Sequence, residues 1–259
     1  MTLTDLATLL PPEEAYPCGV VLPIRPVIRG RSFFPGGCGL AFGNGQPYPD
    51  RPIMLVGQDF DAAPDGVRTT DDWLRMDVAA LQRGEERSPT WRGIQRLADE
   101  SLLDLERAFF TNALLGVRVA KSNTKRHPAW GHDRFEQHSL DCLSKQIRLL
   151  QPTVVVALGV EATVLLARRF GLVATTWDAE SPRWSAIDRK GLQFVPNFAH
   201  EDLELAFASC VHPSYQHLNA RLRSWSRGES GVHGESAHRE IWLAVRRQDE
   251  STRSRPAIP

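Results

Sequence analysis

A three-layer α/β/α sandwich around a central, mainly parallel four-stranded sheet is the fold that the sequence predicts, on three observations. Short apolar runs occupy residues 53–56, 108–111, 153–158 and 206–211, and uninterrupted runs of this length suit strands covered on both faces. Between them, apolar residues recur at helical spacing. Strands alternating with helices of this length close by right-handed crossovers, which place helices on both faces of a parallel sheet.

Residues 1–50 come first and are rich in Gly and Pro. Phe33-Phe34-Pro35-Gly36-Gly37 and Gly43-Asn44-Gly45 mark turns rather than a regular element, so this segment reads as an arm packed on the domain. The first strand, Ile53-Met54-Leu55-Val56, ends in Gly57-Gln58-Asp59-Phe60. A helical stripe of Trp91, Ile94, Leu97, Leu102 and Leu105 leads to the second strand, which runs out into Thr111-Asn112. Leu140, Leu143, Ile147 and Leu150 share one face of the next helix. The third strand ends at Gly159, and a helix over residues 160–170 starts at once. Residues 192–195 are a weaker strand candidate. The fourth strand ends in His212-Pro213-Ser214. Residues 224–236 are polar and Gly-rich, residues 241–245 suggest a closing helix, and the chain after Gln248 reads as disordered. The expected organisation is thus an arm (1–50), one domain (51–248) and a tail (249–259), with no internal repeat.

With 259 residues, 42% of them hydrophobic, the chain has ample material for a core. Lys plus Arg and Asp plus Glu both number 31, so overall charge points to no polyanionic partner, and any nucleic-acid surface must be a local patch. No apolar stretch reaches the roughly twenty residues of a membrane helix, and the amino terminus lacks a secretory pattern. The expectation is a cytoplasmic monomer with no membrane partner. Cys18, Cys38, Cys142 and Cys210 form no C-x-x-C pair and are expected to be reduced and mostly buried. His138 and Cys142 have a spacing that can hold a metal, but two ligands do not close a site, so no metal is expected.

The chemistry-bearing residues fall at the carboxyl ends of the strands, where the loops of an open α/β sheet converge. They are Gln58, Asp59, Phe60 and Asp61 after the first strand, Asn112 after the second, Gly159 after the third, and His212 to Tyr215 after the fourth, with Arg221 close behind. A carboxylate and an imidazole so placed suit a bond whose cleavage leaves positive charge on one side and negative charge on the other. Each has a plainer reading. Asp59 can cap a loop, His212-Pro213 can be a turn, Asn112 can satisfy its own backbone, and Trp73 can be ordinary core. Only their joint arrangement favours a site.

In order along residues 50–221, Gly57-Gln58-Asp59, Thr111-Asn112-Ala113, the run from Thr153 to Gly159 and His212-Pro213-Ser214 with a downstream arginine resemble the uracil-DNA glycosylase superfamily. Tyr48-Pro49-Asp50-Arg51-Pro52 is similar to the lead-in of its bacterial branches. The resemblance implies a monofunctional DNA glycosylase with the fold of that superfamily, a DNA partner and no cofactor. It implies that Asp59 steadies the oxocarbenium-like sugar and orients water, and that His212, helped by backbone groups around Gln58, donates to O2 of the departing pyrimidine. Asn112 would read the base edge, Trp73 or Phe60 would stack on it, and Tyr215, Gln216 and His217 would supply the wedge that replaces it in the duplex. Ser214 or Arg221 would hold phosphates.

Two departures bear on substrate and cofactor. Where the uracil-specific branch has Pro-Tyr after Gly-Gln-Asp, this chain has Phe60-Asp61. The smaller charged residue implies room for a 5-substituted pyrimidine, such as a modified base of bacteriophage DNA, in a repair or phage-defence role. The iron-sulfur branches use four cysteines, of which only Cys142 and Cys18 have counterparts, so no cluster is expected. The alternative is a catalytically silent member of the fold that binds DNA or a protein. A nucleotide-binding domain is disfavoured because no phosphate-loop or dinucleotide motif follows a strand.

Overall fold

The computed structural model describes residues 10–24, 28–29, 32–33, 51–59, 89–119, 127–174, 177, 183–215, 219–225 and 231–254. In chain order the elements are β1 (Val21–Pro23), β2 (Ile28–Arg29), β3 (Ser32–Phe33), β4 (Ile53–Gly57), α1 (Pro89–Ser101), β5 (Ala108–Asn112), β6 (Gly116–Arg118), α2 (Asp133–Leu150), β7 (Val154–Leu158), α3 (Val160–Arg169), α4 (Trp184–Arg189), β8 (Phe194–His200), β9 (Leu203–Cys210), β10 (Ser224–Trp225), β11 (Val232–His233) and α5 (Gly234–Arg253). Strand order in the main sheet is β2-β3-β5-β4-β7-β9-β8. The β3/β5, β4/β7 and β7/β9 pairs are parallel, while β2/β3 and β8/β9 are antiparallel. The fold is therefore mixed α/β about a mostly parallel sheet. All four expected strands are present, but the sheet is larger than the four strands anticipated.

Two compact units divide the chain: Met1–Asp50, Gly57–Glu86 and Phe109–Gln151 make up the first, and Arg51–Val56, Arg87–Ala108 and Pro152–Pro259 the second. In the first unit the supposed arm carries regular structure. Its β1 pairs antiparallel with β6, matching Val21 to Arg118 and Pro23 to Gly116, and Ser32 of β3 registers with Phe110 of β5. Strands of two or three residues leave no periodic signature, and tertiary pairing alone defines them. Gly116 permits the close β1 crossing, since a Cβ there would collide with Val21 Cγ1. Helix α2 buries Phe135, Leu143 and Ile147 completely. It ends at Leu150: Gln151 N–H makes the last helical bond, to Ile147 O, and its left-handed φ of 45° turns the chain out of the helix, just before a proline that cannot continue it.

In the second unit β4 and β7 are matched Ile53 to Val154 through Val56 to Ala157, and β7 and β9 are matched Val155 to Phe207 through Leu158 to Cys210. Every residue of β7 is buried, and each large aliphatic side chain so placed stabilises the fold by roughly 1.5–3 kcal/mol. Strand β8 lies at the end of the sheet order, and its register with β9 shifts between Val195 and Phe198. Pro196 sits in that irregularity, where its missing N–H costs no ladder bond.

Two helix boundaries differ from the sequence expectation. Helix α1 ends at Ser101: Leu102 adopts a φ of 55°, Leu103 N–H bonds Ala98 O, and the Leu102 side chain is 70% exposed. This left-handed stop takes Leu102 and Leu105 off the helix. The chain after Gln248 is not a loose tail either, because α5 continues to Arg253. Asp249 is buried there, accepting from Thr153 Oγ1 at 2.9 Å and from Arg253, with Arg107 Nε 3.7 Å away. Ending the chain at Gln248 is expected to cost about 1.5–3 kcal/mol through lost charge-assisted hydrogen bonds. An unchanged urea midpoint would show that the last turns bear no load.

Candidate functional site

The first unit holds the Gly57-Gln58-Asp59 turn and Asn112. Backbone bonds continue past the strand ends, from Ala113 N–H to Gly57 O and from Leu114 N–H to Gln58 O, both at 2.9 Å. They press Asn112, 7% exposed, against Gly57. A Cβ on Gly57 would collide with Asn112 Oδ1 and stand 3.4 Å from its Cγ. Glycine is thus required by contact, and Gly57→Ala is expected to displace the Asn112 amide and destabilise the protein by about 1–3 kcal/mol, as overpacking does. Side-chain amide NMR of Asn112 together with a urea midpoint checks this; an unmoved resonance refutes it. Among the described residues, Gln58 Nε2 and Thr111 Oγ1 are buried without a hydrogen-bond partner, and buried donors left in this state are rare unless something else meets them.

Asp59 is engaged by Arg118. The guanidinium Nη2 lies 2.5 Å and Nε 3.1 Å from the same oxygen, Oδ2, with side-chain exposures of 2% for Arg118 and 6% for Asp59. His127 belongs to the same electrostatic neighbourhood. Its Nδ1 accepts Ala129 N–H at 3.1 Å, its ring stacks on Phe135 at 6.0 Å, and its Nε2 is buried with no hydrogen-bond partner among the described residues. Burial pushes its pKa down to about 4, with Asp59 opposing and Arg118 reinforcing that shift. The ring is therefore neutral at pH 7, with its proton on Nε2.

The second unit holds the His212-Pro213-Ser214 turn, which is clamped from several sides. His238, on α5, accepts both Val211 N–H and Trp242 Nε1–H at Nε2, each at 3.2 Å. A Cβ on Gly93 of α1 would come within 2.6 Å of Pro213 O, and Thr90 Oγ1 lies 2.6 Å from Ser214 Oγ. Gly159, at a φ of 100° that favours glycine, leaves 3.6 Å between its absent Cβ and His212 Cβ. His212 Nδ1 accepts Ser214 N–H at 3.3 Å, an arrangement in which a neutral imidazole would carry its proton on Nε2.

Burial also pushes the His238 pKa down, to about 3, with Arg223 adding to the shift. Both buried histidines thus bind protons more weakly folded than at their ordinary value of 6.5. The stability they contribute is complete above pH 6.5 and falls as pH drops through about 4 and 3. Urea midpoints measured from pH 8 to 4 are expected to hold flat and then decline below 6.5, and a midpoint constant down to pH 4.5 would contradict this.

Of the residues marked out in the sequence, Phe60, Asp61, Trp73, Gln216 and His217 lie outside the described residues, as does the Tyr215 side chain. Gln58, Asp59 and Asn112 fall in the first unit, and His212, Ser214 and Arg221 in the second. Ser214 spends its hydroxyl on Thr90, and Arg221 is exposed in the short turn Ala220–Leu222. Sequence reasoning missed Arg118, His127, Thr90, Gly93 and His238. A lone arginine closing the apolar stretch after Asn112 was the one available signal, because the other partnerships join remote segments. Among the described residues, no three His, Cys, Asp or Glu side chains gather as a metal site. Cys142 is buried, its thiol pushed up to about 11 by burial, and burial pushes Cys210 up to about 12, so neither is poised as a thiolate ligand. Cys18 is exposed. Among the described residues, no helix is long and apolar enough to cross a membrane.

No protein-family model matches the chain, and no curated protein matches it.

Proposed function

We propose that the chain is a monofunctional DNA glycosylase that hydrolyses the N-glycosidic bond of a flipped-out uracil or 5-modified pyrimidine and leaves an abasic site. The observation that carries this reading is the seating of Asn112 against Gly57, one turn from Asp59. A two-sided amide suited to a pyrimidine edge, at the end of β5, thus packs on Gly57 at the end of β4, two residues before a carboxylate suited to a cationic sugar. In the proposed reaction the bond from C1′ to the base nitrogen breaks with its electron pair leaving on the base. A water oxygen bonds C1′, and the proton it loses ends on the base nitrogen that took the electron pair. The resemblance gives Asp59 the role of orienting that water and steadying the positive sugar, and His212 that of donating to the negative O2 of the base. Donors aimed at developing charge act in this way in acyl transfer. Arg221, exposed, is available to a phosphate.

Incubating the protein with duplex and single-stranded oligonucleotides carrying uracil, thymine or 5-substituted pyrimidines, followed by alkali, tests the reading. Strand scission at one of these bases is expected from the wild type and not from Asp59→Asn, which retains DNA binding. Absence of scission at every base defeats the proposal. Comparable cleavage of uracil and refusal of all 5-substituted bases would confine the substrate to uracil. One observation favours the second reading, a catalytically silent DNA- or protein-binding module: the Asp59 carboxylate already carries a guanidinium. Unchanged behaviour of Asp59→Asn supports that alternative.

A further inference from the structure

Arg118 stands one step behind the carboxylate that the proposed reaction uses. Both of its contacts to Asp59 fall on a single oxygen, from Nε at 3.1 Å and Nη2 at 2.5 Å. Two donors from one rigid planar group fix an oxygen in direction as well as distance, which a single ammonium does not do. The pair is nearly dry, at 2% and 6% side-chain exposure, so water screens it little. Its position along the chain is held too. Arg118 is the last residue of β6 and is registered with Val21 of β1, while Val119 N–H bonds Val20 O just beyond. The guanidinium is therefore anchored by a strand pair rather than by a loop.

A buried ion pair by itself is weak support for stability, since desolvating both charges offsets most of the attraction. A pair kept at a strand-end turn, with both bonds on one oxygen and a neutral imidazole in the same electrostatic neighbourhood, suits a different purpose. It holds a carboxylate in one orientation before a substrate arrives. We infer that Arg118 is the positioning residue for Asp59: it anchors the carboxylate through Oδ2 and thereby directs the group toward the sugar of the bound nucleotide. The inference rests on the glycosylase reading for the identity of the ligand, and on the Arg118–Asp59 geometry for the assignment itself.

Arg118→Lys keeps the charge and removes the two-point fork; Arg118→Met paired with Asp59→Asn removes both charges and protects against a stranded buried ion. Each variant is first matched to the wild type by urea denaturation. Two readouts follow: kcat and KM for base release, and affinity for a duplex carrying a pyrrolidine abasic analogue, whose cationic ring mimics the charged sugar. Arg118→Lys is expected to lower kcat on the order of 10²-fold with KM little changed, as a misplacement near 1 Å does, and to weaken pyrrolidine binding nearly as much as Asp59→Asn. Adding Arg118→Met to Asp59→Asn is expected to weaken it no further. A folded Arg118→Lys protein with wild-type kcat and wild-type pyrrolidine affinity overturns the assignment. If the wild type releases no base yet its pyrrolidine affinity depends on both residues, hydrolysis fails as the reading and the role of Arg118 stands.

Discussion

Arg223→Met is expected to destabilise the protein by about 3–5 kcal/mol, the usual cost of removing one member of a buried ion pair. Arg223 and Asp188 have side-chain exposures of 0% and 1%, with Nη2 2.8 Å from Oδ1. The guanidinium further donates to Ser209 O at 2.7 Å and Ser209 Oγ at 3.1 Å, and lies 4.1 Å above the Trp184 ring. Asp188 in turn accepts Ser224 N–H at 2.6 Å, and Gln193 Nε2 bridges Asp188 O and Ser224 O. One charge network thus joins α4, β9 and β10. Truncating the arginine strands an ionised carboxylate away from water, so the penalty is desolvation left uncompensated rather than the lost attraction alone. Pairing Arg223→Met with Asp188→Leu is expected to recover most of the loss, because neither partner is then an orphan. Urea denaturation of the wild type, both single variants and the double variant forms the cycle. A loss under about 1 kcal/mol for Arg223→Met would mean that the pair behaves as if exposed.

His212→Ala is expected to lower kcat for base release by about 10²–10³-fold, the range found when one donor to a developing anion is removed. The magnitude follows from the ring's tautomer. With Nδ1 occupied by Ser214 N–H, a neutral imidazole would carry its proton on Nε2 and offer a directed donor from there. KM and DNA affinity are expected to change little, since that donor matters most once negative charge has formed on the base. Circular dichroism and a binding titration separate this from a folding defect. A folded variant whose kcat falls less than tenfold would remove His212 from the proposed chemistry.

Legibility followed the range of the interactions. Ile53 to Val56 and Val154 to Leu158 announced themselves because strands covered on both faces must be apolar at every position, a condition visible without knowing the partner strand. Asp59, Asn112 and His212 were visible as polar residues immediately after such runs. The strands β1, β2, β3 and β6 were not, because two or three residues show no period, and they exist only through pairings such as Val21 with Arg118. The helical end of the chain was hidden by its composition. Arg246 to Arg253 is polar throughout, and its order rests on Asp249 reaching Thr153, 96 residues away. Leu102 misled in the opposite sense: an apolar residue on the helical stripe that adopts a left-handed turn and points to solvent. The engagement of Asp59 by Arg118, 59 positions apart, is likewise a fact of folding that adjacency in sequence does not encode.

The register break around Pro196 has a bearing on how molecules of this protein meet one another. An outermost strand with regular spacing invites a neighbour's backbone to dock alongside, the first step toward aggregates. Here the register breaks midway along β8, and one rung lacks a hydrogen to give. That margin of the sheet, the outer one among the described residues, is a poor template for an incoming copy.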